Sequence, residues 1–260
     1  MNLENSLEIK HQALIDLQEY FIKHLEHALL PWWQQALDQI QQTPDIHKVM
    51  QLSSQCKRYF NDDPTLSLYN NLVWSPLRLA RLLLLTQALI QQPVDTQQTF
   101  LHQAFAWVDD QEKISILKVI NWLDNSGCCL DLVQQAGRTS NSQLFAAIAL
   151  NNAYPMHHYT ERAFHQLILK ALSMSLEIQH MVGLAEHRGP VLNQLALELL
   201  EEQLAADRAI SDDLIHLVAF SLLTSAQRKY LEDLCLQRRL APIWQDHLVK
   251  VRGSERLIVS

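Results

Sequence analysis

The chain has 260 residues, with 48% hydrophobic and 19% charged side chains and a formal net charge of −7. That balance describes a globular chain long enough to bury a sizeable core and sets disorder aside. The acidic charge argues against a general electrostatic grip on nucleic acid or anionic lipid, since only Lys250–Arg256 is locally basic.

In chain order, Met1-Asn2-Leu3-Glu4-Asn5 has no basic n-region followed by an apolar core, so no signal peptide is expected. Leu14, Leu17, Phe21 and Leu25 recur at helical spacing, and Pro31 opens a segment carrying Trp32-Trp33. Longer helices are expected up to about Gln92, with a possible N-terminal bundle over 1–60. No Gly/Ser-rich or charged linker sets that bundle apart, so a single domain over 1–260 is the expectation. Pro64 and Pro76 suit first helical turns, with Asp63 and Ser75 as caps. Leu77, Ala80, Leu84 and Ala88 form a further stripe. The leucine run Leu82–Leu85 is broken by Thr86 and Gln87 and is far too short to span a membrane.

From about residue 95 the pattern predicts shorter helices with tight connections. Asp95, Ser140, Thr160, Ser211 and Ser225 are cap candidates, and Gly183 suits a helix C-terminus. Leu192, Leu195, Ala196 and Leu199 line another helix, and Pro242 opens the last one. No run of alternating β-branched residues stands out. The expected fold is all-α: stacked antiparallel helices in an irregular helical-repeat-like array.

Chemistry is constrained mainly by what is missing. Five glycines in the whole chain leave no G-x-G-x-x-G, G-K-[ST] or G-x-S-x-G, which sets aside dinucleotide-binding and hydrolase-elbow enzymes. The cysteines are Cys56, Cys128, Cys129 and Cys235. None forms a C-x-x-C pair, and adjacent Cys128 and Cys129 are poorly placed to bridge each other. They read as reduced thiols of a cytoplasmic protein. His24 and His27 are spaced i, i+3 and His157-His158 flank a turn, but no set of metal ligands is complete. Neither a metal nor a cofactor is expected.

The most informative stretch runs from Arg138 to Arg208. It contains Arg138-Thr139-Ser140-Asn141, then Asn151-Asn152-Ala153-Tyr154-Pro155, then a helix from Ala163 to Leu172. Val182-Gly183-Leu184 and Glu202-Gln203-Leu204-Ala205-Ala206-Asp207-Arg208 follow. In order and spacing these resemble the EboA family over 68–218. Its members carry an R-T-N stretch, an N-P-Y-P-like turn, an N-Q-x-V-L-K-A-L helix, a G-L-D-x-R element and an E-R-x-A-A-G-R helix. Asn152, Tyr154, Gln166, Lys170, Glu202 and Arg208 match, as do Arg138 and Asn141, although Ser140 stands between Thr139 and Asn141 and Ala153 replaces a proline. His165 stands where the family has Asn, Gln203 replaces Arg, and Ala185 and His187 replace the Asp and Arg of the fourth element.

The resemblance implies a role in the traffic of secondary metabolites. Ligand-binding candidates are therefore Gln166, Lys170, Asn152, Tyr154, Arg138, Asn141, His165, Glu202 and Arg208. The expected pocket brings Asn152, Tyr154, Gln166 and Lys170 together against Glu202. The alternative for each residue is structural: a buried Asn tying helices, a cap at Asn141, a Lys stem packed on the core. Three functional readings stay open. One is a non-enzymatic accessory protein for a metabolite, its precursor or the partner proteins of its biosynthesis and export. Another is an enzyme on a small phosphorylated or prenylated metabolite using Lys170, His165 and Glu202. The third is a helical adaptor for a protein partner.

Overall fold

The computed structural model describes residues 7–63, 66–68 and 72–258. The fold is all-α, as the helical periodicity predicts, with one small exception. Leu66–Leu68 (β1) and Leu72–Trp74 (β2) pair antiparallel, Leu66 opposite Trp74 and Leu68 opposite Leu72. Contacts divide the chain into two compact units, Met1–Tyr159 and Thr160–Ser260.

The first unit is organised around α4 (Pro76–Ile90). Ser75 caps it, its side chain accepting from the Arg78 amide, and Pro76 occupies the first turn. Leu77, Leu79, Leu82, Leu84, Leu85 and Leu89 are all buried, so apolar side chains surround the helix and it is covered on every side. The helices α1 (His11–His24), α2 (Leu30–Gln42), α3 (Ile46–Cys56), α5 (Val94–Trp107) and α6 (Asp110–Leu123) pack against it. The segment to residue 60 thus shares its core with α4, and the boundary between compact units falls at Tyr159 instead. The helices up to Gln92 are no longer than those that follow.

A charged side chain, Arg81, sits in the core around α4. Arg81 is only 6% exposed; it donates to the Ser53 carbonyl at 3.2 Å and lies 3.6 Å from Asp109 and 3.8 Å from Glu112. Burial of that guanidinium is tolerable only because both carboxylates and a carbonyl meet it. Beside it, burial pushes the Cys56 thiol up to about 12. Asp109 and Glu112 also form the capping box that starts α6. α7 (Leu130–Ala136), α8 (Ser142–Ala149) and the single turn α9 (Tyr154–His158) complete the unit, with α8 laid along α6.

The second unit begins at the Thr160 cap of α10 (Glu161–Ser173). α11 (Pro190–Ala205), 3-10 turns at Asp212–Leu217 and Phe220–Leu222, α12 (Ser225–Leu236) and α13 (Pro242–Ile258) follow. Buried Asn193 on α11 exchanges two hydrogen bonds with the Ala219 backbone, at 2.7 and 3.1 Å, and so holds the turn region to the helix.

Several helix ends differ from expectation. Asn141 rather than Ser140 caps α8, Thr224 rather than Ser225 caps α12, and Asp95 lies inside α5, whose cap position is Pro93. Gly183 sits at φ 87° in a turn after a short 3-10 segment, not at the end of an α-helix. His24 closes α1 while His27 opens a separate 3-10 turn, so they do not share a helix. The predicted helix start at Pro64 lies outside the described residues. Glycine scarcity has a structural counterpart: Asn151, Ser175, Asp207 and Arg238 take the left-handed conformation just past α8, α10, α11 and α12. Glycine is the usual occupant of that position. Among the described residues no helix is long and apolar enough to cross a membrane.

Candidate functional site

The predicted site residues fall in both units. In the first, Asn152 and Tyr154 are buried and fully engaged. The Asn152 amide donates to the Leu117 carbonyl of α6 and the Ala147 carbonyl of α8, both at 2.9 Å, and its oxygen accepts from the Tyr154 amide at 3.0 Å. The Tyr154 hydroxyl donates to Asp124 Oδ2 at 2.7 Å. Asn141 accepts from the Gln143 and Leu144 amides and donates to Asp110 at 3.0 Å, and Arg138 is exposed.

The residue on which this turn converges is Asp124, which carries no signal in the sequence reading. It is 0% exposed. Its Oδ1 accepts from the Ser126 amide at 3.2 Å, the Ser126 hydroxyl at 2.7 Å, the Gly127 amide at 3.0 Å and the Cys128 thiol at 3.5 Å. Its Oδ2 accepts from the Cys129 amide at 2.7 Å in addition to Tyr154. Burial alone would raise its pKa, but the donors outweigh burial and hold the carboxyl below its ordinary range. Burial, reinforced by the same carboxylate, pushes the Tyr154 hydroxyl well above its ordinary range. Gly127, at φ 84°, is required here, because an added Cβ would lie 2.5 Å from His158 Nδ1. An Asp-Asn-Ser-Gly loop start is the only local hint of this arrangement.

In the second unit Gln166 is exposed, Lys170 is half-buried and His165 is buried beside His187, their rings 6.4 Å apart. The three do not line the groove that holds the other two predicted residues, Glu202 and Arg208. That groove, of about 740 Å³, runs along the C-terminal parts of α10 and α11 and the segment 208–211. Leu169, Leu172, Leu195, Leu199 and Ile210 form its apolar wall, and Glu198, Glu202 and Arg208 its charged rim. A second hollow of about 360 Å³, lined by Arg239 and Trp244, shares residues 208–211.

The end of α11 places Arg208. Asp207, at φ 50°, breaks the helix; its amide bonds to the Leu204 carbonyl at 3.4 Å and the Arg208 amide to the Gln203 carbonyl at 2.9 Å. These are the two bonds of a Schellman motif. The Arg208 guanidinium then lies 3.7 Å from Glu202, both side chains 68% exposed. So exposed a pair adds at most about 1 kcal/mol to stability. Both charges are consequently available to something else. Arg239 donates to the Leu204 carbonyl at 3.2 Å and closes the same helix end.

A family model described as "Metabolite traffic protein EboA" matches residues 13–219. The chain belongs to the EboA family. The match starts well before the 68–218 stretch that carries the motifs and includes α1 to α4, so the core helix is part of the family's fold. It ends before α12 and α13. No curated protein and no solved structure matches the chain. Within the family's E-R-x-A-A-G-R element, Asp207 occupies the glycine position, which is the left-handed residue of the Schellman motif.

Proposed function

We propose that this EboA-family protein is a non-enzymatic accessory in metabolite traffic, and that the groove along α10 and α11 holds a small amphipathic metabolite or precursor. The family description supports a metabolite-handling role in general. The observation that carries the finer reading is the groove itself: Glu202 and Arg208 stand at the rim of an apolar wall. Apolar surface with a few polar groups is the usual make-up of a small-molecule site. An apolar body would lie against Leu169, Leu195 and Leu199, and a polar or anionic head would displace Glu202 from Arg208.

Binding rather than catalysis fits these groups. Glu202 and Arg208 are largely in water, so nothing excludes solvent from a reacting centre between them. Of Lys170, His165 and Glu202, the residues an enzyme reading would use, Glu202 alone lines the groove. We place the protein in the cytoplasm, in line with the sequence. The test is to replace Arg208 with Ala and compare the metabolites released by a producing strain with those of wild type and of a strain lacking the gene. Release that falls toward the deletion level, in a variant that melts normally, supports the groove; wild-type release refutes it.

A further inference from the structure

The Asp124 loop has a chemistry that bracing alone does not require. Six donors converge on the carboxylate, so it is ionised, yet all six are neutral: three backbone amides, two hydroxyls and a thiol. Among the described residues no Lys, Arg or His nitrogen forms an ion pair with it, although it is fully buried. Charge in such a place is normally met by an opposite charge or a metal. Two sulfurs stand beside it. Ligand atoms of Asp124, Cys128 and Cys129 all lie within 4.8 Å of one another. Donors held tetrahedrally around one Zn²⁺ are roughly 3.5–3.8 Å apart, given the usual metal–sulfur distance, so only small rotations separate these three from a ligand set.

A further nitrogen donor flanks the same loop, outside the cluster of three. His158 packs its ring against Gly127, between Asp124 and the cysteines in sequence, and 4.5 Å from the Tyr154 ring. Its Nε2 is buried without a hydrogen-bond partner among the described residues. Buried polar atoms are normally satisfied, so an orphaned imidazole nitrogen on a ring packed against this loop is itself an observation in favour of a ligand.

We propose that Asp124, Cys128 and Cys129, with His158 beside them, form a site for a thiophilic d¹⁰ cation of the Zn²⁺ class. Binding releases the two thiol protons to solvent and forms two metal–sulfur bonds and one metal–oxygen bond. The bonds that go are the 3.5 Å Cys128 thiol contact to Oδ1 and the hydrogen bond between the two thiols, whose protons are the ones released. The Tyr154 hydroxyl and the loop amides stay and orient the carboxylate, as outer partners do in metal sites. Half-buried Cys128 is the ligand on the solvent side, and buried Cys129 the inner one.

The test uses the full chain, reduced and free of oxygen. Co²⁺ as a probe should bind one ion per chain and give an intense thiolate-to-metal charge-transfer band, displaced by equimolar Zn²⁺. In the same wild-type protein Zn²⁺ should slow alkylation of Cys128 by iodoacetamide at least about tenfold while leaving Cys235, also half-buried, unchanged. Cys128→Ala should abolish the band. Tyr154→Phe should keep it but weaken affinity by roughly tenfold. No charge-transfer band, or equal alkylation of Cys128 with and without Zn²⁺, overturns the site without depending on the folding of any variant.

Discussion

The polar network around Arg81 and Asp124 in the first unit and the groove of the second use polar side chains in opposite ways. In the first, Arg81, Asp124, Asn152 and Tyr154 are buried and bonded to backbone and to one another. In the second, Glu198, Glu202 and Arg208 ring an apolar groove and stay in water. Residues that look alike as motif matches therefore have different physics. A buried polar group that loses its partner carries an unmet desolvation cost, so the first set should report on stability. An exposed pair is nearly neutral to the fold, so the second should report on function.

The largest effect is expected at Asp124. Asp124→Ala strips the acceptor from three loop amides and from the buried Tyr154 hydroxyl, and should lower unfolding free energy by about 3–5 kcal/mol. Chemical denaturation measures it, and a loss under about 1 kcal/mol would end the claim that this loop braces the unit. Asn152→Ala removes a side chain that joins α6, α8 and the turn, and should cost about 2 kcal/mol. If Asn152→Ala melts like wild type, the residue is free for another role and the contrast between the units fails.

Asp207→Gly sharpens the comparison from the other side. It relieves a left-handed non-glycine residue at the end of α11 and should stabilise by about 1 kcal/mol, read as a higher melting temperature. A lower melting temperature would mean that the Asp207 side chain contributes more than its backbone conformation costs.

A smaller effect belongs to Asp62. The Arg78 guanidinium, bonding it at 2.8 and 3.2 Å, holds its carboxyl below the ordinary range, and Ser75 adds a further bond. A depressed folded pKa means stability that is present above the unfolded value of about 3.9 and is lost as pH falls through the folded one. Wild type should accordingly exceed Arg78→Ala in stability at neutral pH, with the gap closing in acid. A gap that is independent of pH would assign the effect to packing.

Much of the fold was legible because helical periodicity and proline are local signals. Pro31, Pro76 and Pro242 each sit at a helix start as read, and Ser75 and Thr160 are caps as read. Ser140 and Ser225 missed by one residue because Asn141 and Thr224 are equally good acceptors next door. The β1–β2 pair escaped notice because three residues per strand are too few to establish an alternation. Asp124 was illegible for another reason: its partner Tyr154 is 30 residues away in sequence, and only folding brings the two together. Glu202 and Arg208 were readable from the family's pattern. The leucines beside them were not, since a groove-lining leucine and a core leucine have the same helical spacing.

The central claim is that the second unit's groove serves function while the first unit's polar network serves the fold. Ser173→Trp tests it most directly, because Ser173 is exposed, lines the groove and lies outside the core. An indole there would fill the space between α10 and α11 and should shift unfolding free energy by no more than about 0.5 kcal/mol. Metabolite release from a strain carrying Ser173→Trp should be measured alongside the melting temperature of the purified variant. The account predicts an unchanged melt with release reduced toward that of a strain lacking the gene. Wild-type release from a strain whose groove is filled would contradict it.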